Sequence, residues 1–237
     1  MTCNFDCPAA YITQTANPEG SSIMKKILFF SFVCIFSLCA CFGPRVHGNG
    51  TIKTDTRDVP AFESIVCDGG YDVHVTCQAQ QSVAVQSDEN ILPFVKTEVN
   101  GGQLRISSKG NLRPTQGIRI TVSVQRLEDF TINGFTEGEI QNILSDSFTL
   151  SSNGSARMKL SGTVDKLKIH ISGSAKIEAD SLAANEVKTH IEGSGTIYCR
   201  AANSIDARID GSGTVKYHGE PKTVNQSING SGSIEKE

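Results

Sequence analysis

The chain has 237 residues and a formal net charge of −3 at pH 7, with no Trp, 7 Pro and 22 Gly. Near-balanced charge removes the electrostatic basis for a nucleic-acid partner. Few aromatics beside abundant Gly, Ser, Thr, Val and Ile suit short strands and tight turns, not a helical enzyme core; the length admits one large all-β domain or two small ones.

Taken in chain order, residues 1–23 contain Cys3, Cys7 and two Pro and show no periodicity. They read as a mis-called extension ahead of a true start at Met24, disordered and removed with the signal if translated. Residues 24–40 read as a signal peptide. Lys25 and Lys26 form the charged segment, and the apolar stretch from Ile27 to Ala40 is too short for a comfortable membrane span. It ends in Leu38-Cys39-Ala40-Cys41, which resembles the bacterial lipobox. That resemblance implies that Cys41 is the first mature residue, lipidated on its sulfur and amine. The protein would then be held on a bacterial membrane of the cell envelope, the outer membrane by expectation, without a transmembrane helix. The alternative is an ordinary signal peptide cut near Ala40. Cys39 is the poorer candidate because bulky Leu38 precedes it.

Three cysteines then remain in the mature chain, Cys67, Cys77 and Cys199, an odd number for an oxidising compartment. Asp68-Gly69-Gly70 reads as a hairpin turn, which would set Cys77 far down the second strand and beyond disulfide reach of Cys67. Three buried thiols are therefore favoured over a Cys67–Cys77 bridge. A zinc site ranks lower still, since no Cys-x-x-Cys pair exists.

Residues 41–49 form a tether with Gly and Pro. Residues 50–125 form an N-terminal β region of alternating runs, among them Tyr71 to Cys77, Leu104-Arg105-Ile106 and Ile118 to Val124. Turns are marked at Gly69-Gly70, Asn100-Gly101-Gly102 and Lys109-Gly110-Asn111.

From about Leu127 a repeat fills residues 126–237. Its glycines are Gly134, Gly154, Gly173, Gly193, Gly211 and Gly230, at steps of 20, 19, 20, 18 and 19, a period that marks a solenoid. Two, four and six residues before each Gly the pattern is apolar: Ile171, Ile169 and Leu167, then Ile191, Thr189 and Val187, then Ile209, Ala207 and Ile205. In the last unit, with Ile228, Gln226 and Val224, the middle position is weak. The intervening positions are polar. Met158, Ile177, Ile197, Val215 and Ile234 follow four residues after the Gly. The expected fold is all-β: a right-handed parallel β-helix or β-solenoid with turns of about 19 residues, in which Gly-Ser-Gly supplies a corner that tolerates positive φ. Ile171, Ile191, Ile209 and Ile228 should stack as one buried ladder, because a one-residue slip would bury Glu192 and Asp210 instead.

The residues from Gly48 to about Ile234 resemble the auto-transporter adhesin head domain, the GIN domain of Gram-negative envelope proteins. The resemblance rests on Gly48-Asn49-Gly50, Phe62-Glu63-Ser64-Ile65, Asp72-Val73-His74-Val75, Leu104-Arg105-Ile106, the recurring Gly-Ser-Gly, and Tyr217-His218-Gly219-Glu220-Pro221. It implies a β-helix-like fold, with residues 50–237 as one domain, and an adhesive or envelope-binding role. It carries no catalytic residues. Two early units depart from Gly-Ser-Gly, at Gly134 to Gly138 and at Gly154-Ser155-Ala156-Arg157, and put the corner geometry there in question.

Stacked units would align outward residues in columns. His170 and His190 become neighbours, followed by Arg208 with Asp206, Asp210 and Glu192 around it. This is the candidate surface-binding column. A divalent metal on the His pair is the sharper reading; a solvated face with ordinary charge pairing is favoured, because strands alternate to polar for burial reasons alone. The column one before each Gly holds Asn133, Asn153, Ser172, Glu192, Asp210 and Asn229. It reads as turn residues bonding nearby backbone rather than a calcium ladder. No cofactor and no metal is expected. Binding of a glycan or protein ligand of the envelope or host surface leads. A scaffold without a ligand comes second, and a carbohydrate-active enzyme last, since sugar platforms are scarce: only Tyr198 and Tyr217 among tyrosines lie in the repeats.

Overall fold

The computed structural model describes residues 45–237. Cys41, the signal segment and the extension at 1–23 lie outside the described residues. The fold is all-β. Among the described residues there is no α-helix, and one 3-10 turn at Leu92–Phe94.

The strands are β1 Arg45–His47, β2 Ile52–Arg57, β3 Ser64–Asp68, β4 Gly70–Cys77, β5 Ser82–Asp88, β6 Val95–Asn100, β7 Gln103–Ser108, β8 Asn111–Arg113, β9 Arg119–Val124, β10 Asp129–Ile132, β11 Phe135–Ser152, β12 Ser155–Gly211, β13 Thr214–His218, β14 Thr223–Gly230 and β15 Ser233–Lys236. β12 has 57 residues and would span roughly 190 Å if straight. It doubles back instead: Ser174 N–H bonds the Gly154 carbonyl at 3.0 Å and Ser212 N–H bonds the Gly193 carbonyl at 2.9 Å.

The pairing is parallel and follows the repeat. β11 pairs with β12 from Phe135↔Ser155, then shifts register between Ile140 and Ile143 to end at Ser152↔Ile171. β12 pairs with β13 at Thr196↔Thr214 and with β14 at Ile209↔Ile228. Each offset equals the local Gly-to-Gly step, because the glycines stand at equivalent corners.

Two glycines of each Gly-Ser-Gly do different work, which the sequence reading had merged. The first takes positive φ, +124° at Gly193 and +144° at Gly211. The second does not. A Cβ on Gly213 would stand 2.9 Å from the Ile191 side chain, and one on Gly195 3.0 Å from that of Ile171. The second Gly is therefore a packing requirement: the Ile of the preceding unit fills the space a side chain would need. At the departing corners, Gly134 keeps φ +151°, while Gly154 lies outside the positive-φ set.

Three of the four laddered isoleucines are as expected, with Ile171, Ile191 and Ile209 at 0% exposure. Ile228 is a correction, since it is 43% exposed. Among the described residues β14 pairs only with β12, so no described strand lies over this last member. Thr189 is buried with no partner for its hydroxyl.

Asp68-Gly69-Gly70 is a second correction. It is no hairpin turn, because β3 pairs with β7 and β10, and β4 with β9 and β11, all in parallel. Gly69, at φ +151°, is one more corner in line with Gly134. Ile65, Cys67 and Gly69 repeat the spacing of the later units, so the pattern begins one unit earlier than Leu127. The chain between β4 and β10 turns back to cover this end: β5 pairs antiparallel with β9 and β2, and β6 with β7. Asn100-Gly101-Gly102 is a true hairpin turn between β6 and β7.

This end is fastened by Asp88, fully buried at the end of β5. Its carboxylate accepts the Gly50 N–H at 2.7 Å, and the Thr115 N–H and hydroxyl at 2.8 Å each. A Cβ on Gly48 would stand 2.4 Å from that carboxylate, which explains Gly48, while Gly50 takes a φ of +80°. Burial works to raise the Asp88 carboxyl, but these donors outweigh it and hold it below the usual carboxylate range.

Cys67, Cys77 and Cys199 are free and buried. Burial pushes the thiols up, to about 12 for Cys67 and Cys199 and about 11 for Cys77, which keeps them protonated and unreactive.

Candidate functional site

Two surfaces meet at the glycine corners. The strand before each Gly presents the sequence-predicted column. His170 and His190 are neighbours, ring centroids 5.2 Å apart, edge to face. His190 Nε2 lies 3.0 Å from Asp210 Oδ2 and Arg208 Nε donates to the same oxygen at 2.7 Å, while Glu192 lies 3.6 Å from His190. The Arg208 guanidinium first, then His190, draws the Asp210 carboxyl down to about 2. Asp206 stands apart and faces Lys188 at 3.7 Å. His170, His190, Glu192, Arg208 and Asp210 are thus brought together, and Asp206 is not. Arg208 occupies the oxygen that a cation on His190 would need, so the arrangement is that of a charge-paired face.

The column before Gly differs from the turn bonding expected of it. Asn133 Nδ2 donates to Asp68 Oδ1 at 2.7 Å and Asn153 Nδ2 to Asn133 Oδ1 at 2.9 Å. The amides bond from unit to unit, because parallel in-line stacking brings like positions within reach.

The strand after each Gly borders a groove of about 440 Å³ along the stacking direction. Ser155, Ser174, Ser194 and Ser212 recur along it. Their inward neighbours are Ala156, Ala175, Gly195 and Gly213, and the last two are kept small by Ile171 and Ile191 behind them. Phe135 stands at one end, 51% exposed, at the position where later units have Ser. Arg157 and Lys176 line the groove, each already paired, Arg157 with Glu137 at 3.0 Å and Lys176 with Glu178 at 2.5 Å. The Glu178 hydrogen bond raises Lys176, and Lys176 in turn lowers Glu178. Tyr198 sits between Lys176 and Lys216, whose ammonium groups lie 5.5 and 5.7 Å from its ring centre. Tyr217 is buried. The sequence reading missed Phe135; its signal was an aromatic replacing Ser in a column of otherwise small residues.

The repeated corner, the parallel register and the outward columns define an all-β protein built of stacked repeat units. The sequence pattern of the family "Putative auto-transporter adhesin, head GIN domain" matches residues 61–221, and the chain belongs to that family. No curated protein matches the chain. Among solved structures, a "putative adhesin" of Bacteroides fragilis is similar at 24% identity, over 81% of this chain and 100% of that one, with a TM-score of 0.68. A "putative lipid binding protein" of Parabacteroides distasonis is 24% identical over 81% of this chain and 99% of that one, at 0.47. A "putative adhesin" of Parabacteroides merdae is 20% identical over 82% and 100%, at 0.45. The first of these supports the fold alone.

Proposed function

We propose that the chain is a non-catalytic binding module of the cell envelope that holds an extended glycan along the groove beside its glycine corners. In this reading residues 50–237 form one domain, a right-handed β-solenoid supported by the parallel registers of 18–20 residues. Lipid on Cys41 anchors it to a bacterial membrane, the outer membrane by preference. The observation that carries the binding role is the groove itself: open, lined by repeated Ser hydroxyls, with exposed Phe135 at its end. A sugar ring can stack on Phe135 while serines spaced at about 4.8 Å meet successive hydroxyls. His170, His190, Glu192, Asp206, Arg208 and Asp210 lie across the corner and would flank the ligand.

Envelope and host-surface glycans presented on an array to the full chain should yield a binder. Phe135→Ala should weaken it about tenfold, equivalent to about 1.4 kcal/mol, and Ser194→Tyr should block it. Absence of any glycan binder, or binding indifferent to both changes, would favour the scaffold reading; depolymerisation of a glycan would favour the enzyme. Metabolic labelling with a palmitate analogue should mark the wild type and not Cys41→Ala.

A further inference from the structure

The two ends of the strand ladder are finished differently. At one end the outermost strands are β2, with Lys53, Asp55 and Arg57, and β6, with Lys96 and Glu98. Charges on an edge keep it from recruiting another strand. β14 is the opposite. Among the described residues it pairs only with β12, is exposed over its whole length, and contains no charged residue and no Pro from Thr223 to Gly230. Val224 and Ile228 are 38% and 43% exposed, although Ile205 and Ile209, their partners in β12, are fully buried. Two aliphatic side chains beside an open row of N–H and C=O groups form a surface suited to a further strand.

The sequence of β14 narrows the choice of that strand. About Gln226 it reads as the same chemistry in both directions: Asn225 and Ser227, Val224 and Ile228, Thr223 and Asn229. Antiparallel pairing of two copies about Gln226 would set Val224 against Ile228 of the second copy. Facing residues of an antiparallel pair lie on one side of the sheet, so the aliphatic pairs would stay on the interior side with the two Gln226 side chains facing each other between them, and Thr223, Asn225, Ser227 and Asn229 would lie outside. No like charges would meet. Stacking head to tail would instead bring β14 against the charged β2 and β6, and would continue as an open fibre; the two-fold arrangement closes on itself. We infer that β14 is a self-association surface through which two copies of this chain join end to end, antiparallel about Gln226.

The test uses the full chain in the membranes of the cells that make it. Gln226→Cys places a thiol on the two-fold axis, and mild oxidation should give a species of twice the chain mass on a non-reducing gel. Ser181→Cys, exposed on another part of the surface, should give none. Adding Ile228→Lys to Gln226→Cys should abolish the band with unchanged circular dichroism. In detergent, the unaltered chain should sediment as a dimer and the Ile228→Lys chain as a monomer. No band, a band equally strong from Ser181→Cys, a band that survives Ile228→Lys, or a product of another mass would each overturn the inference.

Discussion

At one end of the ladder the chain supplies its own cover, and at the other no described strand does. β5, β2 and β6 fold back antiparallel over β9 and β7, and Asp88 fastens the preceding segment to Thr115. Among the described residues β14 and β15 have a single partner each. The same residue in the same place of the repeat, Ile191 or Ile228, is fully buried in one unit and 43% exposed in the other. Position within a unit decides which way a side chain points; the neighbouring unit decides whether that direction is interior.

The largest expected effect tests this directly. Ile191→Asp should cost about 4 kcal/mol or more, because it buries an unpaired carboxylate between two units. Ile228→Asp should change stability by about 0.5 kcal/mol or less at low protein concentration. Urea unfolding of both variants measures the contrast, and equal losses would break it.

Next comes the corner. An alanine Cβ at Gly211 would stand 2.5 Å from the Gly193 carbonyl oxygen at φ +144°. Since that backbone is held on both sides, Gly211→Ala should cost about 3 kcal/mol. Gly230→Ala meets the Gly211 oxygen at 2.2 Å and φ +135°, but the last unit can move away. It should fray β14, at about 1 kcal/mol or less. Hydrogen exchange should show the second change confined to β14 and β15.

A smaller effect belongs to the fastened end and depends on pH. The Asp88 carboxyl lies below its ordinary value when folded. Its contribution is therefore present above the unfolded carboxylate value of about 3.9 and lost as pH falls through the folded value. Asp88→Asn should lower the melting temperature at neutral pH and lose that deficit in acid. A constant deficit down to pH 2 would show that the carboxylate charge is not what holds Gly50 and Thr115.

The smallest effect is expected on the charge-paired face. His170→Ala, Asp206→Ala and Arg208→Ala should leave circular dichroism and the melting temperature unchanged within error, because exposed pairs contribute little. Asp210→Ala should lower the melting temperature slightly at neutral pH and lose that deficit towards pH 2, since its carboxyl, drawn down to about 2, contributes above the unfolded value and loses that contribution as pH falls. A large loss at any of the four would mean that this face is an interior one.

Much of this was legible in the sequence for one reason: strand side chains alternate with period two, and equal units stack like on like. Ile171, Ile191 and Ile209, and the polar residues between them, could be assigned from spacing alone. Asp68-Gly69-Gly70 was misread because a local turn signal looks the same whether its strands pair with each other or with segments 39 to 65 residues away. Phe135 became a site candidate only once its column was seen to border an open groove.

The repeat period, the inward and outward faces and the glycine corner were determined by the sequence itself, since each follows from local backbone geometry and alternation. Three things were decided only by the tertiary structure. Gly213 has no room for a methyl because Ile191, 22 residues earlier, fills that space. Gly48 is required because Asp88, 40 residues later, turns its carboxylate there. Val224 and Ile228 lie open because no described strand covers β14. Each depends on which distant segment comes to rest beside a residue, and burial, unlike alternation, is a property of that pairing.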